Sequence, residues 1–140
     1  MNGHKLLNPR RLSIAAFSFS FAYLLSFLFE GQILYILLER HGVNGSTYVL
    51  ASMIAHFLGL LTCGLFIRTL KSAKNMMLAG MGVCLAATVP FFFTPSFLWL
   101  GGLIFSAYFS GCSVAAWGFF LRAFTPKTER IKSCADVLIY

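Results

Sequence analysis

The sequence predicts an all-α fold, a polytopic transmembrane helical bundle of four helices and the start of a fifth. Three observations predict it. The chain of 140 residues is 59% hydrophobic and only 11% charged, and its mean hydropathy of +0.80 lies above the range of soluble domains. Its apolar residues come in runs of about 20, the length that crosses a ~30 Å hydrocarbon core, rather than in short periodic stripes. Its basic residues fall between those runs.

The first span is expected at about 12–38, which at ~1.5 Å per residue exceeds the hydrocarbon thickness and implies tilt or protruding ends. The opening "MNGHKLLNPRRLSIAAF" has the basic start of a signal peptide. The apolar segment after it is too long and lacks a small-residue cleavage site, so it reads as a retained helix. "ERHGVNGST" closes the span with charges and two glycines, and Ser46 or Thr47 is the expected N-cap of the second span, 48–67. The "NGS" at 44–46 matches a glycosylation acceptor, but its loop hugs the membrane.

A short basic linker, "RTLKSAKN", leads to the third span, 76–92, with Pro90 near its end where the missing backbone donor costs least. "TPS" makes a tight uncharged turn. The fourth span, 97–124, is long enough to project beyond the bilayer, and Trp99 near its start suits an interfacial anchor. After "TPKTER" the chain turns apolar again over 131–140, expected as the first turns of a fifth helix and hence a fragment of a larger bundle.

Eleven Lys and Arg against four Asp and Glu give a net charge of +7. In a soluble protein that excess would raise nucleic acid as a partner. Here every basic residue but Arg40 lies in three clusters: Lys5, Arg10 and Arg11; Arg68, Lys71 and Lys74; Arg122, Lys127, Arg130 and Lys132. This is the positive-inside pattern, which places the N-terminus in the cytoplasm and makes the lipid bilayer, not nucleic acid, the partner of this segment.

Cys63, Cys84, Cys112 and Cys134 form no CxxC pair and have no histidine at zinc spacing. Neither a disulfide framework nor a metal site nor any cofactor is suggested, and no nucleophile with its base and no phosphate-binding loop points to an enzyme. Glu30 is the exception within the apolar runs. Counted inward from the outer ends of the first two spans, it and His56 both lie at ~12 Å depth by the helical rise. An intramembrane carboxylate needs a partner or a water-filled cavity, and a Glu30–His56 pair would supply one and trade a proton. Gln32 points away from Glu30 on a helix and reads as an interhelical hydrogen bonder. Gly80 with Cys84, Gly82 with Ala86, and Gly102 with Ser106 and Ser110 carry small residues at four-residue spacing, which lets backbones approach.

The linkers resemble those of the major facilitator superfamily. In "GLFIRTLKSAK" Gly64 stands at the opening place of the family's helix 2–3 signature, and Arg68, Lys71 and Lys74 keep the linker basic. Arg68 occupies the signature's aspartate place and Lys71 its second glycine place. "PKTER" supplies Pro126 and Arg130, similar to the proline and arginine that open the family's helix 4–5 linker. The family's helix 4 arginine is missing, since Ala107 precedes Gly111, which argues against a proton-driven antiporter.

The resemblance implies a transporter built from three-helix repeats, moving a small-molecule solute or proton by alternating access. Glu30, His56 and Gln32 would then lie on the substrate or proton pathway, and Gly64, Arg68, Lys71 and Lys74 at a cytoplasmic gate. The remaining helices of the full-length protein would be its partners and a bacterial plasma membrane its location. The chain also looks like the membrane-embedded sensory domain of a LuxR-type helix-turn-helix regulator, given the lost transport signatures and the phrase "ADVLIY". A small four-helix multidrug exporter is similar in size, but such exporters avoid the near-complete charge bias seen here.

Overall fold

In a computed structural model, which describes residues 9–23, 25 and 32–139, the chain is helical with no strand among the described residues. The helices are α1, Pro9–Tyr23; α2, Gln32–Arg40; α3, Gly45–Phe66; α4, Leu70–Thr88; α5, Phe97–Phe124; and α6, Arg130–Ile139. Short 3-10 turns at Val89–Phe92 and Lys127–Glu129 extend α4 and precede α6. Three stretches, Gly45–Phe66, Leu70–Phe92 and Phe97–Phe124, are long and apolar enough to cross a membrane. The expected first span is represented by α1 and α2, on either side of residues 24–31.

Local chemistry sets each boundary. α2 ends in a Schellman motif: Gly42 takes φ +66°, its N–H bonds the Glu39 carbonyl at 3.0 Å and the Val43 N–H bonds the Leu38 carbonyl at 2.9 Å. A side chain is rarely tolerated at that φ. The N-cap of α3 is Asn44, not Ser46 or Thr47. Its side chain accepts from the Ser46 N–H at 3.1 Å and from the Ser46 hydroxyl at 2.7 Å.

The α3–α4 linker is shorter than expected. Thr69 caps α4, accepting the Ser72 N–H at 3.2 Å, so the helix begins at Leu70 instead of near Met76 and carries Lys71 and Lys74 on its first turns. Cations at a helix N-terminus oppose the macrodipole. The cap and the strong helix formers that follow outweigh that. α5 has the same bounds as the expected fourth span.

α5 is the centre of the bundle, with α3 on one side and α4 on the other. Inside a bilayer, helices gain little hydrophobic energy by pairing, so close packing and interhelical hydrogen bonds hold them. Both occur. α3 and α5 run in the same direction and meet at two glycines: a Cβ on Gly59 would strike the Tyr108 carbonyl, and one on Gly111 the His56 carbonyl. Beside that crossing, Thr62 and Tyr108 share a hydrogen bond of 2.8 Å, and the Cys112 thiol faces the Gly59 carbonyl at 3.5 Å.

α4 runs antiparallel to α5. A Cβ on Gly80 would meet the Ser113 hydroxyl, and one on Gly102 the Ala87 carbonyl at 3.1 Å. Gly80 and Cys84 are thus contact residues, whereas Gly82 and Ala86 face away and are exposed. α1 lies across α5 through a face-to-face stack of Phe17 on Trp117, with centroids 4.1 Å apart and planes 8° apart. The Ser18 hydroxyl reaches the Val137 carbonyl at 3.3 Å and so ties α1 to α6.

At the other end, Trp99 is fully buried rather than an interfacial anchor. Its indole N–H donates to the Pro90 carbonyl at 2.9 Å, and its ring packs on Phe91 and His41.

Candidate functional site

The ends of α3 and α5 and the starts of α1, α4 and α6 share the basic face of the bundle. There Arg68, Lys71 and Lys74 are exposed, Arg68 in the turn and the lysines on α4. Gly64, on the last turns of α3, is exposed with nothing near its Cβ direction, so its contribution is not close packing. Pro126, in an extended conformation, ends α5. Arg130 then folds back, donating from Nε to the Thr125 carbonyl and from Nη2 to the Arg122 carbonyl, both at 3.3 Å. A guanidinium on the last carbonyls of a helix complements both their unmade hydrogen bonds and the negative end of the dipole. Arg130 therefore fixes where α6 leaves α5.

The sequence-derived pathway residues are dispersed. Glu30, and with it the Glu30–His56 pairing, lies outside the described residues. His56 is buried at 8% exposure, on the side of α3 that faces α5, with its imidazole turned toward the backbone of Ala107. With α3 starting at Gly45, His56 is eleven residues in, about 16 Å by the helical rise and mid-span. Gln32 is exposed at the first residue of α2.

A different set of polar groups converges. On the opposite side of α5 from His56, a cleft of ≈ 280 Å³ opens between α1, α4 and α5. Ser20 and Tyr23 line it from α1, Cys84 from α4, and Ser110 and Ser113 from α5. Phe19, Met81 and Leu85 supply apolar wall. Tyr23 spans the top of this group, donating its hydroxyl to the Cys84 carbonyl at 3.1 Å, while the Cys84 thiol faces the Ser106 carbonyl at 3.6 Å.

The helix register places these groups at one depth. Tyr23 is fourteen residues from the start of α1, Cys84 fourteen from the start of α4, and Ser110 fourteen from the end of α5. Each distance is about 21 Å from the basic face at ~1.5 Å per residue. That is the middle of α5. Ser106, Ser110 and Ser113 follow a helical i, i+4, i+7 spacing, a polar stripe within an apolar span. The stripe is visible in the sequence, yet Ser106 and Ser110 read there as small packing residues, because nothing in one helix's spacing shows that Tyr23 and Cys84 face it.

Most of these hydroxyls are satisfied within their own helices: Ser20 by the Ala16 carbonyl at 3.2 Å, Ser106 by Leu103 at 3.0 Å and Ser113 by Phe109 at 3.0 Å. Ser110, 3% exposed, makes no side-chain hydrogen bond among the described residues. Its hydroxyl is available to whatever enters the cleft. No side chain charged at neutral pH lines the cleft among the described residues.

No family model matches the chain, and no curated protein and no solved structure matches it.

Proposed function

We propose that the chain forms part of a facilitator-type membrane transporter, moving a small solute by alternating access, with its N-terminus in the cytoplasm. The observation that carries this reading is the cleft at mid-bundle depth, walled by α1, α4 and α5 and furnished with hydroxyls in an otherwise apolar span. Midplane sites between helices are where alternating access requires a solute to rest. Support comes from the charge pattern, in which ten of the eleven basic residues fall in three sequence clusters, before the first apolar run, around the α3–α4 turn and around the α5–α6 turn, and from the linkers' likeness to the facilitator family.

Cysteine labelling in oriented membrane vesicles tests both parts, using a background in which the cleft's own Cys84 and the exposed Cys134 are both replaced by serine, with a membrane-impermeant maleimide. A cysteine replacing Lys71 reacts from the cytoplasmic side alone; reaction from outside overturns the orientation. A cysteine replacing Met81, in the cleft wall, reacts from either side as the bundle rocks. Reaction from one side under every condition removes alternating access and favours the membrane sensor.

Glu30 adds a second test. In this scheme its carboxylate takes up the coupled proton, since an isolated charge within an apolar run is costly without a partner. Glu30→Gln keeps membrane insertion and abolishes solute-linked proton movement, read with a pH-sensitive dye in proteoliposomes. Unchanged proton movement takes Glu30 out of the mechanism.

A further inference from the structure

We infer that the cleft between α1, α4 and α5 binds a small uncharged molecule with a flat apolar body and one hydrogen-bonding group, and that Ser110 is the residue that reads that group. This rests on the cleft being the solute's resting place in the proposed transporter and names the class of solute.

Three observations lead there. The first is size: ≈ 280 Å³ is the space of about nine liquid waters, enough for a single-ring compound and too little for a large lipid-like substrate. The second is charge. An ion stripped of water in the cleft finds no counter-charge among the described wall residues, and an unpaired ion in such surroundings is strongly disfavoured. The third is the unmatched hydroxyl. Ser20 and Ser113 are occupied by their own helices, whereas Ser110 is 97% buried by its 3% exposure and lines the cleft without a side-chain partner among the described residues. A buried hydroxyl gains when a ligand completes it.

The apolar wall sets the rest. Phe19 and the Tyr23 ring present aromatic surface from α1, and Met81 a polarizable thioether from α4, a combination that packs well on a flat ring. An acyl chain would fill the same space but has nothing to offer Ser110.

The test uses the chain in lipid nanodiscs and two probes of one shape, para-fluorobenzyl alcohol and para-fluorobenzoate at neutral pH, followed by fluorine NMR against empty discs. The alcohol binds the wild type above the empty-disc signal and the benzoate does not compete with it. Ser110→Ala weakens the alcohol about fivefold or more, the effect of one lost hydrogen bond. Met81→Trp, which fills the cleft from its α4 wall and leaves the α5 backbone alone, abolishes binding with an unchanged circular dichroism spectrum. Benzoate binding as tightly as the alcohol, an alcohol affinity indifferent to Ser110→Ala, or no alcohol binding at all overturns the inference. Binding by a protein that moves no solute keeps the cleft assignment and removes only the transporter reading. Transport by a protein indifferent to Ser110→Ala in the binding assay does the reverse.

Discussion

Replacing Gly111 with leucine drives α5 off α3 and destabilises the bundle by on the order of 3 kcal/mol, the upper range for overpacking a close contact. The reason is what the new side chain meets. A Cβ at Gly111 collides with the His56 carbonyl and lies 2.9 Å from the Leu60 nitrogen, and both are helix backbone that cannot rotate aside. Gly59→Leu acts at the same crossing, against the Tyr108 carbonyl. The two effects are not additive, because once the helices have separated the second clash is already relieved.

Gly118→Leu and Gly64→Leu are the controls. Both sites are exposed helical positions with nothing within 4 Å of the Cβ direction, so leucine there improves helix propensity at no steric cost. Unfolding titrations with sodium dodecyl sulfate in mixed micelles, followed by circular dichroism, separate the cases. Equal midpoints for Gly111→Leu and Gly118→Leu mean that α3 and α5 do not meet at Gly111.

That crossing also marks the limit of what the sequence shows. Length and hydropathy suffice to find the apolar spans of α3, α4 and α5, though not the start of α4, which the Thr69 cap sets at Leu70, because a membrane span is a property of one segment. Pairing is a property of two. Small residues at four-residue spacing occur at Gly80 with Cys84 and at Gly82 with Ala86 alike, yet the first pair packs on α5 and the second faces outward. Gly111 stands four residues after Ala107, a spacing as suggestive as either, and only its juxtaposition with His56 and Leu60 distinguishes it.

The candidate site divides in the same way. His56 is conspicuous in sequence because a titratable group in an apolar run is rare, and the structure gives it a buried position between α3 and α5, away from the cleft. Ser110 is inconspicuous, since serine is tolerated in membrane spans as a packing residue that bonds back to its own helix. What singles it out is the departure from that habit, which no spacing rule reveals. At the basic face the likeness of Pro126 and Arg130 to a linker motif acquires a physical meaning: Arg130 closes the carbonyl end of α5.

Trp99→Ala costs about 3–5 kcal/mol, the range for removing a large aromatic from a packed interior. Trp99 is 0% exposed and belongs with Leu34, Leu38, Val49 and Leu103 to one apolar cluster, so its loss leaves a void shared by α2, α3 and α5. The ring rather than the indole N–H carries the effect. The Pro90 carbonyl that accepts from Trp99 also accepts from the Phe93 N–H at 3.1 Å. It keeps one partner when the indole is gone, and Trp99→Phe costs only about 1 kcal/mol. Fluorescence distinguishes this buried role from the interfacial one that the residue's place near the start of the span suggests. In a Trp117→Phe background, where Trp99 is the sole tryptophan, brominated lipids leave its emission nearly unquenched. Strong quenching puts the indole among the lipids, and the thermal penalty of Trp99→Ala then falls to that of a surface substitution.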